Sequence, residues 1–162
     1  MEQMIFPPPY RYIIDTCSLF EQTADRKYNR AIHKTLWSKI EQLIKSKQIV
    51  VCTDISNEIK KNEELGEDYL VNKQCEVLEA TQNIQDKVIE IVNKYPEMLK
   101  FKEGPGQSSG DAFLIATAIV YKLTIITEEN PKKIGKIPDI ASKCGVEVVN
   151  INGLCGKEKW EF

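Results

Sequence analysis

Four places in this 162-residue chain put an acid directly beside an apolar or glycine-rich stretch. Asp15 follows the apolar run Tyr12-Ile13-Ile14, and Glu58 lies in "DISNEIKK", one turn beyond Asp54. Asp111 follows "KEGPGQSSG", and Glu128 and Glu129 follow "LTIIT". Each has an ordinary explanation alone. Asp15 in "DTCS" suits a turn or a helix cap, and Glu58 suits a helix N-terminus through the macrodipole. Ser108 and Asp111 have the spacing of a capping box, and Glu128-Glu129 suits a solvated loop pair. Convergence would change the reading. Carboxylates sharing one site repel and raise each other's pKa unless a cation lies between them. Hard divalent ions accept carboxylate oxygens, and Mg²⁺ keeps waters and binds substrate phosphates as well. Such a site activates water and neutralises charge developing on a phosphodiester. That chemistry needs no histidine or cysteine nucleophile, and His33 is the only histidine in the chain.

Whether the acids converge depends on the elements that carry them. Residues 12–14 predict a first strand, led in by Pro7–Pro9. Ile32, Leu36, Ile40, Leu43 and Ile44 recur at helical spacing over 31–46. "QIVVCT" (48–53) predicts a second strand, followed by a helix capped by Thr53 or Asp54. Residues 67–94 predict one or two long helices, with Tyr69, Leu70, Cys75, Leu78, Ile84, Val88, Ile91 and Val92 on the apolar side. Residues 102–110 are a loop. "DAFLIATAIVYK" is a helix apolar nearly all round, hence deeply buried. Strands at 123–127 and 146–150 follow, with a short helix starting near Pro138 between them. The alternation implies an α/β three-layer sandwich, with a mainly parallel sheet of about four to five strands flanked by helices. In such a sheet the strand C-termini and following helix N-termini share one edge, where ligands bind. All four acidic places map to that edge.

Composition removes several classes. Hydrophobic residues at 42% and charged residues at 28% describe a globular chain. No apolar run reaches the length of a membrane span, and "MEQMIFPPPYR" lacks a signal-peptide design, so the expectation is a cytoplasmic protein with no membrane role. Cys17, Cys52, Cys75, Cys144 and Cys155 form no C-x-x-C pair, which argues against a zinc site or a disulfide framework. The net charge of −2 hides a division: residues 58–130 carry 8 basic and 14 acidic groups, while both flanking segments are mildly basic. An acidic site between weakly basic walls fits this, as does a solvated helical face. A phosphoaspartate role for Asp15 lacks the Asp-x-Asp spacing, since Cys17 stands at the second place. No Gly-x-Gly-x-x-Gly follows the first strand, which sets aside a dinucleotide site.

Taken in order, "YIIDTCSL", "DISNEIKK" and "SGDAFLIATAIVYKLTIITEE" resemble the PIN domain, in particular the VapC-like ribonuclease toxins and their relatives. The third stretch carries the resemblance most strongly and the second least, because a glutamate in a helix is common. The resemblance implies a single PIN-like domain over 1–162, with core motifs in 11–150 and a helical insertion over about 59–103. It implies a metal-dependent endoribonuclease, the toxin of a type II toxin–antitoxin pair. The alternatives are an RNA-processing nuclease without a toxin role and an inactive RNA- or protein-binding module. Position by position it implies Mg²⁺ or Mn²⁺ held by Asp15, Asp111 and Glu129, with Glu58 as a ligand through water or a group positioning the attacking water. Glu128 competes with Glu129 for the fourth place, where aspartate is more usual. Thr16, Ser18 and Thr127 would support the site with hydroxyls. Cys17 stands where a small or hydroxyl residue is common. Implied partners are RNA, a cognate antitoxin and a second copy in a homodimer, with local RNA affinity from Lys132, Lys133 and Lys136.

Overall fold

The computed structural model describes residues 8–98, 100–101, 107–108 and 110–162. Its centre is a five-stranded, wholly parallel sheet: β1 Tyr12–Ile14, β2 Ile49–Cys52, β3 Glu76–Leu78, β6 Thr124–Ile126 and β7 Val148–Val149. The strand order is β3-β2-β1-β6-β7. Two further strands, β4 Lys100–Phe101 and β5 Gln107–Ser108, pair with each other antiparallel outside this sheet. Helices α1 Thr16–Phe20 and α2 Lys34–Lys45 join β1 to β2, and α3 Thr53–Lys60 and α4 Tyr69–Asn72 join β2 to β3. Helices α5 Gln82–Lys94 and α6 Gly110–Tyr121 lead to β6, α7 Ile137–Lys143 to β7, and α8 Ile151–Glu158 follows.

The sequence dictates this layering. Tyr12, Ile13, Ile14, Ile49, Val50, Val51, Ile125 and Ile126 are all buried, as strands covered on both faces must be, and β-branched side chains suit the pleat. Helix α6 runs across β1, β2 and β6 and packs along α5. Its Ala112, Ala116 and Ala118 are buried and small enough for close approach to the sheet. Helix α2 lies on β2 with Leu36, Trp37, Ile40 and Ile44 inward. Helices packed on a parallel sheet in this order give the PIN-like three-layer sandwich expected.

Three expectations need correction. Residues 67–94 are not continuous helix: β3 interrupts them and forms an edge of the sheet, so the insertion over 59–103 is not helical throughout. The apolar residues of "CEVL" serve a strand as well as a helix face, and a short apolar run does not distinguish the two. The cap of α3 is Cys52, with no side-chain bond, and Thr53 and Asp54 lie inside the helix. Ile32 precedes α2 and is exposed, whereas Trp37 is fully buried in its place. The C-terminal segment "INGLCGKEKWEF" carries α8. Of the expected loop 102–110, residues 102–106 and 109 lie outside the described residues, as do Pro7 and the side chain of Ser108, one half of the expected capping box.

Chain order decides where a ligand would bind. From β1 the chain builds to β2 and β3 on one side, then returns to lay β6 and β7 on the other. The order therefore reverses between β1 and β6, and the crevice of an open parallel sheet lies at that reversal, beyond the strand C-termini. Ile14 pairs with Ile126, so Asp15 and Thr127 are the next residues across this crevice. Ile13 is the fully buried middle residue of β1. Ile13→Ala should cost about 2–5 kcal/mol of unfolding free energy, measured by urea denaturation. A loss below about 1 kcal/mol would contradict its central packing.

Candidate active site

Asp15 is 7% exposed and ends β1 as the cap of α1, with Oδ1 accepting from the Thr16 backbone N–H at 2.8 Å. Its Oδ2 accepts twice more, from the Thr127 hydroxyl at 2.9 Å and from the Cys17 thiol at 3.1 Å. The first bond crosses the crevice from β6 to β1. Asp15 is thus both a helix cap and a crevice residue, so the two readings of "DTCS" are not exclusive.

Burial pushes the Asp15 carboxyl up to about 6. The Cys17 and Thr127 hydrogen bonds pull it down, and the charges of Glu129 and Asp111 push it further up. These three acids come from three distant parts of the chain, yet the charges of Glu129 and Asp111 both reach Asp15. Glu58 joins them through Thr16, whose hydroxyl donates to Glu58 Oε2 at 2.5 Å. Glu58 is exposed and sits in the second turn of α3, later than its expected place in the first turn or so. Asp111 lies in the first turn of α6, and its side chain has no hydrogen-bond partner among the described residues.

Glu128 and Glu129 diverge. Glu129 Oε2 accepts from the Ile137 N–H at 3.0 Å, at the start of α7. Glu128 Oε1 accepts from the Ile151 N–H at 2.7 Å, at the start of α8. Burial raises the Glu128 carboxyl, the Ile151 N–H opposes that, and the neighbouring charges are Glu21 and Lys27, not Asp15. Ser18 is fully buried in α1, and its hydroxyl has no hydrogen-bond partner among the described residues. Its backbone N–H donates to the Asp15 carbonyl at 3.1 Å, but among the described residues its hydroxyl meets none of the acids.

Cys17 is the residue whose role the sequence left open. Its sulfur contacts Asp15 Oδ2 and Thr127 Oγ1 (3.4 Å) and accepts the Glu128 N–H at 3.4 Å. Burial, and then the charge of Asp15, pushes the thiol up to about 12, so it is a protonated hydrogen-bonding group and not a nucleophile. The available signal was positional: the second residue after a helix cap returns toward the cap. Beside the crevice, Thr127, Glu128, Glu129, Pro138, Asn150 and Gly153 help line an open cleft of about 550 Å³.

A family model described as "Domain of unknown function (DUF4411)" matches residues 12–162. No curated protein matches the sequence. Among solved structures, the chain is similar to FitAcB from Neisseria gonorrhoeae, with a TM-score of 0.54 and 16% identity over 86% of this chain and 97% of that one. It is similar to VapBC2 from Rickettsia felis, bound to a DNA fragment from their promoter, with a TM-score of 0.51 and 14% identity over 86% and 97%. It is also similar to PAE2754 from Pyrobaculum aerophilum, with a TM-score of 0.51 and 15% identity over 92% and 89%. At these identities the likeness is one of fold, and the fold is PIN-like.

The Asp15 carboxyl makes stability depend on pH. Its folded-state value lies above the ordinary 3.8, so the protonated form favours the fold. That contribution is complete below pH 3.8 and is lost as pH rises through about 6. It totals roughly 3 kcal/mol, of which roughly 1 kcal/mol falls between pH 5 and 7. In chelator, the wild type should therefore gain about 1 kcal/mol over Asp15→Asn on going from pH 7 to pH 5, read from urea midpoints. An unchanged or opposite difference would show that Asp15 ionises normally.

Proposed function

The chain belongs to the DUF4411 family, and on that premise we propose that it is a metal-dependent endoribonuclease that hydrolyses RNA phosphodiester bonds. The observation that carries this reading is the buried Asp15 carboxylate at the β1–β6 crevice, on which the charges of Glu129 and Asp111 both act, with Glu58 tied in through Thr16. The donor chemistry fits a hard divalent cation: the donors are oxygens, one carboxylate is buried, and like charges surround it. Among the described residues, no three His, Cys, Asp or Glu side chains are placed to hold one ion together. The fit is therefore to an ion that takes one or two carboxylates directly and keeps waters, as Mg²⁺ does.

Of Asp15, Asp111 and Glu129, one or two would hold Mg²⁺ or Mn²⁺ directly, and the rest, with Glu58, would act through its waters. A bound ion would neutralise charge developing on the phosphodiester and make an attacking water more acidic. The residues themselves supply position. Asp15 is fixed by three hydrogen bonds. Glu129 keeps Oε1 for the crevice while Oε2 is anchored at Ile137. Glu58, its Oε2 engaged by Thr16, has Oε1 to orient a water or take its proton. Exposed Lys132 and Lys133 lie a few residues beyond Glu129 and would attract the RNA backbone. Lys136 stands in the same segment. The chain would act in the cytoplasm as the toxin of a type II pair, with an antitoxin protein and a second copy of itself as partners. The described helices include none long and apolar enough to cross a membrane.

A second reading has one observation in its favour. The lack of a three-ligand group among the described residues also suits a PIN-like module that binds RNA or protein without cutting. Calorimetric titration with Mn²⁺ separates the two, because such a module should bind the ion weakly or not at all.

Purified protein should cleave single-stranded RNA with Mg²⁺ or Mn²⁺ and lose that activity in chelator. Asp111→Asn should reduce the rate at least about 100-fold, measured on a labelled RNA. Cleavage that survives both chelation and the substitution would sink the proposal. For the toxin role, induced expression in bacteria should arrest growth and the same substitution should relieve the arrest. Continued growth with the wild-type chain would favour a processing nuclease.

A further inference from the structure

We propose that Cys17 is a positioning residue: with Thr127 it forms a latch across the β1–β6 crevice that sorts the two consecutive glutamates into different roles. The divergence of Glu128 and Glu129 needs a cause, because the segment has left strand β6 and no ladder holds it. The cause lies in their backbone donors. The Glu128 N–H ends on Cys17 Sγ at 3.4 Å, and the Glu129 N–H ends on Thr127 Oγ1 at 3.2 Å. Both acceptors are themselves bonded to Asp15 Oδ2, at 3.1 and 2.9 Å, and lie 3.4 Å from each other. Two consecutive peptide groups are therefore fastened to the pair of side chains that holds the Asp15 carboxylate.

With the backbone held in this way, Glu128 reaches the first N–H of α8 and Glu129 the first N–H of α7. One acid is directed away from the crevice and the other toward it. The sulfur suits this task. A thiol both donates and accepts, and its size and polarisability let one side chain meet an oxygen and an N–H that lie apart. Serine keeps both functions at a shorter reach, and alanine keeps neither. Cys17 thus acts through Asp15 and the 128–129 peptides and is not itself a ligand.

Two measurements test the latch. The first, amide hydrogen exchange at Glu128 in the metal-free protein, does not depend on any catalytic reading. Cys17→Ala should speed exchange at that amide at least tenfold, and Cys17→Ser should restore protection to within about threefold. The second, Mn²⁺ affinity by calorimetry, rests on the nuclease reading. Cys17→Ala should weaken it about 10- to 100-fold, as loss of a group that orients a ligand does, and Cys17→Ser should recover most of it. Should the alanine variant not fold, Cys17→Val keeps the volume without the hydrogen bonds and is measured in its place. Unchanged exchange at Glu128, or a serine variant no better than alanine, overturns the latch. Wild-type protein that binds no Mn²⁺ while exchange responds as expected overturns the nuclease reading and leaves the latch standing.

Discussion

One carboxylate held at the dry end of a parallel sheet is the constraint around which this structure is arranged. Removing an ionised carboxylate from water costs several kcal/mol even after relaxation, and Asp15 has little contact with solvent. Its three hydrogen bonds offset part of that cost. Yet Glu129 and Asp111 add negative charge nearby, and no positive side chain features among the main influences on it. The local balance therefore favours a proton or a cation at the crevice. A purely structural cap would not need two further acids brought to it from α6 and from beyond β6.

Holding that carboxylate constrains its surroundings on both sides. Strand β1 lies between β2 and β6 in the sheet, and α8 is tied to both ends of the β1 region. At the crevice end, Glu128 anchors the first turn of α8 at Ile151, with its backbone on Cys17. At the opposite end, Glu158 in the last turn of α8 accepts from Arg11 and from the Tyr12 hydroxyl, each at 2.7 Å. Tyr12 is itself almost wholly buried, so its hydroxyl needs this partner. Helix α8 thus braces the strand that carries Asp15. That gives a use to a tail whose residues carry no motif of their own.

The parts of the fold legible in the sequence are those where one signal dominates. Tyr12-Ile13-Ile14, "QIVVC" and "LTII" are too apolar and β-branched to be anything but buried strands, and "DAFLIATAIVY" is too long for one. Some of the acids were legible for a related reason: Asp15 and Glu128-Glu129 follow such strands and Asp111 opens such a helix, whereas Glu58, inside α3, carries no comparable signal. Residues 67–94 failed because "CEVL" satisfies strand alternation and the helical pattern together, and only pairing with β2 decides between them. The roles of Glu128 and Glu129 could not be read from order along the chain. They depend on N–H groups at residues 137 and 151, which the topology brings close. Cys17 was opaque for the same reason, because its partners Thr127 and Glu128 are more than a hundred residues away.

The glutamate at position 129, where the resemblance leads one to expect aspartate, has a physical explanation in α7. That helix begins after Lys136, whose side chain makes no capping bond and, as an ammonium, has no acceptor to offer. The leading N–H groups of a helix need acceptors from elsewhere. Asp139 takes the Gly135 N–H at 2.8 Å, and Glu129 Oε2 takes that of Ile137 at 3.0 Å. A glutamate extends one methylene further from its backbone than an aspartate, and here that side chain reaches α7 while its charge still acts on Asp15. The longer acid lets a single side chain close the start of α7 and contribute its charge to the crevice.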